Sequence, residues 1–298
     1  MKVPPYLKKG DKIAIVAPAG RINMDLTEVV KLFESWGLKV VIGESVTSSF
    51  HQFAGDDQLR AKDFQAMLDD DTVKAIIAAR GGYGTVRIID ELDFSNFKAH
   101  PKWVVGYSDI TVLHCHIQTL FGVPTIHGPM PLNFPDATDS SLQSLHGALF
   151  GNEVHYEYTS TSALVPGTAE GILTGGNLAL LANIVGSVSE SDYTDKVLFI
   201  EDVSEYYYSV DRMMRLLKRA GRLKNIRGLI VGGFTDLKDS DPSFGFSALE
   251  IILDVIKEYD YPVATDFPAG HIDNNQSLVF GKKVSLSVQG KRVHLKYI

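Results

Sequence analysis

Trp103-Val104-Val105-Gly106-Tyr107-Ser108-Asp109-Ile110-Thr111 reads as a strand that breaks into a helix. Three apolar residues run into Gly106, and Ser108 and Asp109 then open a segment of helical character over 110–121. Asp109 suits a first turn, where its carboxylate meets the positive end of the helix dipole. A serine at such a corner is held out of the sheet, with backbone N–H groups of the new helix pointing toward it, which is the geometry of a nucleophile elbow. Gly106-Tyr107-Ser108 fits the G-x-S-x-G pattern, but Ile110 stands where the second glycine belongs. A plain helix cap is the competing reading of the same serine.

Upstream, KIAIVA (12–17) is an apolar run closed by Pro18-Ala19-Gly20, as a buried parallel strand is. A helical pattern over 26–36 stops at Gly37, 38–42 reads as a second strand, 58–68 as a second helix and KAIIAA (74–79) as a third strand. This alternation predicts an α/β protein whose N-terminal part is a doubly wound, flavodoxin- or Rossmann-like parallel sheet, with ligands at the carboxyl ends of its strands. The third strand ends in Arg80-Gly81-Gly82-Tyr83-Gly84. Glycines there let backbone N–H groups approach a ligand, because no Cβ intervenes. The turn is neither G-x-G-x-x-G nor Walker A, and no lysine follows it. Three readings stay open: a phosphate turn, a tight turn, or an oxyanion hole in which the amides of Gly82 and Asp109 converge beside Ser108.

Downstream, Val123-Pro124-Thr125-Ile126-His127-Gly128-Pro129-Met130 reads as a further strand and loop, and a helix over 140–150 ends at Gly151. The stretch 153–166 turns polar and Thr/Ser-rich. It suggests an N-terminal domain over 1–155, a linker over 156–170 and a C-terminal domain over 171–298. The second half opens with Gly171-Ile172-Leu173-Thr174-Gly175-Gly176-Asn177-Leu178, a strand turning into a helix. KVLFI (196–200) follows and ends at Glu201-Asp202; then come a helix over 210–219, a strand over 227–234 and a helix over 247–258. Strands are expected at 277–280, 284–288 and 292–297, the last two joined by Gln289-Gly290-Lys291 as a hairpin turn.

The chain has 298 residues, a net charge of −7 and no Lys/Arg run, which argues against nucleic acid and anionic membrane surfaces as partners. No stretch approaches the roughly 18 apolar residues of a membrane span, and the opening lacks a signal-peptide core. The single cysteine, Cys115, excludes an internal disulfide. A cytoplasmic protein is expected.

A serine nucleophile needs a base to take its proton and a third group to orient that base. Glu201 lies just past an apolar strand, and His271 sits in a loop between Gly270 and a polar run. The order Ser108…Glu201…His271 is that of α/β-hydrolases, although order alone does not bring the three together. Pairing of Glu201 with Arg212 or Arg215, and an ordinary hydrogen-bonded loop role for His271, are the alternatives. His114-Cys115-His116 invites a metal site or a Cys–His nucleophile, but successive helical residues point about 100° apart. With no H-E-x-x-H and no C-x-x-C, no metal is expected, and Cys115 reads as a core-facing apolar group.

Six motifs in order, Arg80-Gly81-Gly82-Tyr83-Gly84, Gly106-Tyr107-Ser108-Asp109-Ile110-Thr111, His127-Gly128-Pro129, Gly175-Gly176-Asn177-Leu178, Leu198-Phe199-Ile200-Glu201-Asp202-Val203 and Gly270-His271, resemble the LD-carboxypeptidase family of serine peptidases. That family also contains the microcin-immunity peptidases. The resemblance runs from about residue 11 to 287. For the fold, it implies a C-terminal α/β domain with a small β sheet or barrel-like portion. It implies Ser108 as nucleophile, His271 as general base, Glu201 as the acid that orients it, and an oxyanion hole from Gly82 and Asp109. It implies hydrolysis of the amide bond before a C-terminal D-amino acid, the L,D bond of a murein tetrapeptide, with release of D-alanine in peptidoglycan recycling. No cofactor is implied, and a homodimer is. Arg80, Tyr83 and Asn177 are further candidates for holding substrate, Arg80 for its free carboxylate. One departure is the tail Ile272-Asp273-Asn274-Asn275-Gln276, where better-known members carry a proline-bearing stretch. A same-family alternative is cleavage of a peptidyl-adenylate antibiotic, for which Tyr206-Tyr207-Tyr208 would be the aromatic platform. An alternative of another class is a non-catalytic or nucleotide-binding α/β protein using the glycine turn on phosphate.

Overall fold

Apolar runs become buried strands and amphipathic stretches become helices, in the order β1 (Lys12–Val16), α1 (Thr27–Ser35), β2 (Lys39–Ile42), α2 (Asp57–Asp69), β3 (Val73–Ala78), α3 (Thr85–Ile88), α4 (Ser95–Ala99), β4 (Trp103–Gly106), α5 (Thr111–Phe121), β5 (Thr125–His127) and α6 (Asp139–Phe150). The second half gives β6 (His155–Thr159), β7 (Gly167–Asn177), α7 (Leu178–Asn183), β8 (Lys196–Val203), α8 (Tyr207–Arg219), β9 (Gly228–Thr235), α9 (Ala248–Ile256), β10 (Val263–Ala264), β11 (Leu278–Phe280), β12 (Lys283–Gln289) and β13 (Arg292–Tyr297). The structure is a computed structural model that describes residues 2–152, 154–162 and 164–298. Glu153 and Ala163, in the polar stretch, lie outside the described residues.

Helix ends follow local chemistry. The Asp56 side chain accepts from Leu59 N–H to cap α2, Thr138 caps α6, and Ser247 with Glu250 forms a capping box on α9. Gly122 and Gly151 take the left-handed conformation that ends α5 and α6.

The first sheet has the order β11-β5-β4-β3-β1-β2. Its five N-terminal strands are parallel in the flavodoxin-type order, with the switch point between β1 and β3. The sixth strand differs from the all-parallel expectation: β11 comes from the C-terminal part and pairs antiparallel with β5, Leu278 opposite His127. It covers an edge that would otherwise expose unpaired backbone groups. The second sheet runs β10-β9-β8-β7-β12-β13-β6. Its first four strands are parallel and the rest form an antiparallel meander in which Gln289 pairs with Arg292 across the Gly290-Lys291 turn.

The carboxyl end of β7 meets the start of α5, which follows the carboxyl end of β4: Asn177 N donates to Thr111 Oγ1 at 3.0 Å. Residues 111–117 of α5 are all buried, and Val112, Leu113 and Cys115 share one apolar cluster with Leu178, Leu181 and Leu198. Each such aliphatic side chain stabilises the fold by about 1.5–3 kcal/mol. Cys115 is a core residue, its thiol pushed up to about 12 by burial. Among the described residues no helix is long and apolar enough to cross a membrane.

Gly175 and Gly176 make the tight passage from β7 toward α7 possible. A Cβ on Gly175, whose φ is +136°, would collide with the Phe199 carbonyl. Gly175→Ala is expected to cost about 3 kcal/mol or more, from overpacking and left-handed strain together. Gly186 also has positive φ, at +83°, but a Cβ placed on it would meet nothing within 4 Å. Gly186→Ala should cost only about 1–2 kcal/mol. Urea unfolding of both variants checks this; equal costs would contradict the packing account.

Candidate active site

β4 delivers Tyr107 and then Ser108, the first residue of a short 3₁₀ turn (Ser108–Ile110) that leads into α5. Ser108 has φ +62°, a left-handed conformation that costs a non-glycine residue on the order of 1–2 kcal/mol. The strain lifts its side chain out of the sheet, and Ser108 is half-buried. Ile110 fits in place of the second elbow glycine because Gly106 yields the room: a Cβ on Gly106 would stand 2.8 Å from Ile110 Cγ1.

The glycine turn after β3 presses on this elbow. A Cβ on Gly81 would come within 2.9 Å of Ser108 Cβ, 3.1 Å of its Oγ and 3.3 Å of Asp109 N. Gly81 O accepts from Gly20 N at 3.0 Å, so the turns after β1 and β3 are joined. Arg60, fully buried on α2, donates to Pro18 O and, at 3.0 Å, to Gly84 O. The buried Asp109 carboxylate accepts from Thr85 N at 2.7 Å, and burial raises its pKa. Gly82, with φ +101°, has an amide without a hydrogen-bond partner among the described residues. The turn is thus packed directly against Ser108.

Glu201 is fully buried near the end of β8, and His271 Nδ1–H donates to its Oε2 at 2.6 Å. Arg215 pairs instead with Asp211 and Asp254, and Arg212 lies over Tyr208, so neither arginine takes Glu201. Opposite Glu201 the β8–β9 register slips: Ile200 faces Val231 but Asp202 faces Phe234. The extra residue falls at Gly232-Gly233, a bulge of the kind that re-aims side chains beside active sites. Gly233 N donates to Ala269 O at 2.9 Å, and a Cβ on Gly232 would sit 2.5 Å from that oxygen, so the bulge seats the loop that carries His271. Thr235 Oγ1 donates to His271 O and Asn275 Oδ1 accepts from Gly270 N.

Burial pulls the His271 pKa down, but the charge and hydrogen bond of Glu201 outweigh it, and the imidazole titrates above its ordinary value. The ring packs on Tyr107 with centroids 4.8 Å apart. A cavity of about 210 Å³ opens beside it, lined by Tyr107, Asn133, Asp236, Ile272, Asp273 and Asn275 among others. Three residues of the departing tail therefore form its wall.

The structure joins Glu201 to His271 directly and sets His271 against the residue preceding Ser108. Ser108 makes no hydrogen bond to His271 among the described residues; such bonds often tighten only with substrate in place. Arg80 lies at the same turn and gives one N–H to Arg21 O at 2.7 Å. Tyr83 is 48% exposed near Phe53. Asn177 is turned inward, its Nδ2 on Asp202 and its Oδ1 capping α7 through Leu180 N. His114 and His116 diverge to Gly106 O and Ser189 Oγ, and burial takes His114 down to about 4. Arg60 and the Gly232-Gly233 bulge carried no expectation from the sequence, while Gly81 and Asn275 stood out only as members of longer motifs; a double glycine inside a strand pattern is the available signal for the bulge.

Known proteins share this chain's domain order and fold. The LD-carboxypeptidase N-terminal domain matches residues 13–128 and the LD-carboxypeptidase C-terminal domain matches residues 170–286. The probable murein peptide carboxypeptidase of Bacillus subtilis is 36% identical, over 97% of this chain and 92% of that protein. The crystal structure of muramoyltetrapeptide carboxypeptidase from Oxalobacter formigenes superposes with a TM-score of 0.87 at 29% identity, covering 96% of this chain and 98% of that one. Microcin C7 self-immunity protein MccF shares the fold, with a TM-score of 0.87 at 22% identity over 98% of this chain and 97% of that one. With both family domains present in order, the chain belongs to the LD-carboxypeptidase family.

Proposed function

We propose that this protein is a serine carboxypeptidase that hydrolyses the L,D amide bond of a murein tetrapeptide and releases the C-terminal D-alanine. The observation that carries the reading is the 2.6 Å bond from His271 to the buried Glu201, beside a cavity that His271 lines together with the tyrosine that leads into the Ser108 elbow. The murein-peptide names of the Bacillus subtilis and Oxalobacter formigenes relatives support the substrate class.

Glu201 fixes the His271 tautomer with its proton on Nδ1, which leaves the Nε2 lone pair as the base. Nε2 takes the proton of Ser108 as Oγ attacks the scissile carbonyl, then returns it to the leaving amine of D-alanine. Water hydrolyses the acyl-serine by the same two steps in reverse. The developing oxyanion is assigned to the amides of Gly82 and Asp109, and one such donor is worth roughly 3 kcal/mol. Arg80, with N–H groups beyond the one held by Arg21 O, is the candidate for the substrate's free carboxylate, and the exposed Tyr83 is assigned to the rim.

A second reading, cleavage of a peptidyl-adenylate, has one observation in its favour. Tyr206 and Tyr208 stack with centroids 5.2 Å apart and stand exposed, with Lys238 and Arg212 over their faces. Competition of D-alanine release by an aminoacyl sulfamoyl adenosine would support it. We extend the main reading to a homodimer acting in the cytoplasm within peptidoglycan recycling, in keeping with the family resemblance and with a net charge of −7.

Ser108→Ala should lower kcat for D-alanine release on the order of 10⁴-fold or more; near-normal turnover would end the proposal. The pH dependence has a definite sign. The base works neutral, so kcat/KM should rise with pH through an inflection above 6.5, because Glu201 holds the proton on His271. Glu201→Gln removes that charge: the inflection should move to lower pH and the rate should fall on the order of 10³-fold or more. An inflection that stays in place would show that another group titrates.

A further inference from the structure

The mechanism assigns no work to Asp202, yet its carboxylate is 2% exposed and lies beside a second buried carboxylate, Glu201. Burying such a charge is unfavourable unless it is fully bonded, and among the described residues no lysine or arginine forms an ion pair with it. Three N–H groups bond it instead. Oδ1 accepts from Asn177 Nδ2 at 2.8 Å and from Val203 N at 2.9 Å, and Oδ2 accepts from Ala179 N at 3.0 Å. Burial first, and Glu201 second, push the carboxyl up to about 7.

Asn177 continues the connection. Its backbone N–H donates to Thr111 Oγ1 at 3.0 Å, and both partners are buried. Thr111 is the first residue of α5, three positions after Ser108. Gly176 lets the Thr111 side chain reach this backbone, since a Cβ there would collide with it. Asn177 also stands opposite Glu201 in the β7–β8 register. One corner of backbone therefore touches the helix that follows Ser108 on one side and the strand that carries Glu201 on the other.

We propose that Asp202, Asn177 and Thr111 form a clamp that positions the Ser108 elbow against the Glu201–His271 pair, with Asp202 and Thr111 as positioning residues. The inference rests on the roles proposed above for Ser108, Glu201 and His271. It reassigns Asn177 from holding substrate to holding the two catalytic segments in register. Glu201 and Asp202, adjacent on β8, then divide the labour: one carboxylate faces the imidazole and the other anchors the strand that presents it.

The test uses the full-length protein and D-alanine release from a murein tetrapeptide. Asp202→Asn places an amide N–H₂ against N–H donors, and Asn177→Asp places two carboxylates face to face. Each should lower kcat by about tenfold to a hundredfold, as a displacement of about 1 Å does, with KM within about twofold. The double variant Asn177→Asp/Asp202→Asn reverses the donor and acceptor of the bridge and should recover kcat at least about tenfold over Asn177→Asp alone. Should the carboxylate variants fail to fold, Thr111→Val and Thr111→Ser decide: the valine should lose kcat at unchanged KM, and the serine, which keeps the hydroxyl, should retain it. Wild-type kcat in Asp202→Asn and Thr111→Val, or a double variant as slow as the product of the single losses, overturns the clamp. Absence of D-alanine release from the wild-type protein would instead overturn the proposed function on which it rests.

Discussion

A carboxylate with no solvent exposure is the constraint around which the rest of this molecule is arranged. Glu201 sits near the end of an apolar strand, where an isolated charge would cost several kcal/mol, and the imidazole of His271 meets it at 2.6 Å. The bond fixes which ring nitrogen carries the proton and raises the affinity of the ring for a second one. It also demands that a loop seventy residues away be delivered to the end of β8. The Gly232-Gly233 bulge, Thr235 and Asn275 all serve that delivery.

The serine side is built on a different principle. Ser108 is held in a left-handed conformation, and the turn after β3 closes on it so tightly that Gly81 admits no side chain. Arg60 and Asp109 hold that turn from behind, both fully buried. Close approach of backbone to the Ser108 side chain needs glycine and needs rigidity, and the surrounding hydrogen bonds supply the second. The two halves then meet at α5, which packs against α7 and the end of β7.

Much of this was legible beforehand because strong periodicity survives folding. The strands at 12–17, 74–79 and 196–200 and the helices at 26–36, 58–68 and 140–150 appear within a few residues of their expected bounds. The elbow was legible because a strand, a glycine and a helix-opening serine share nine residues. Other parts were hidden for physical reasons. α3 and α4, at four and five residues, span too few turns to show a 3.6-residue period. The crossing of β11 into the first sheet is a long-range pairing that no local pattern records. The family resemblance, more than chain order, suggested grouping Ser108 with Glu201 and His271, since nothing in the spacing of the three residues reveals proximity. Asn177 read as a ligand contact from its motif, and only the folded chain shows its side chain engaged with Asp202 and α7.

The central claim is that a single hydroxyl is made nucleophilic by an imidazole from the other half of the chain. Labelling with a fluorophosphonate reagent, followed by peptide mapping, tests it most directly. The account predicts one phosphonyl adduct, on Ser108, formed by the wild-type protein and suppressed in His271→Ala at matched folding. An adduct elsewhere, or labelling of Ser108 at an undiminished rate without the imidazole, would contradict it.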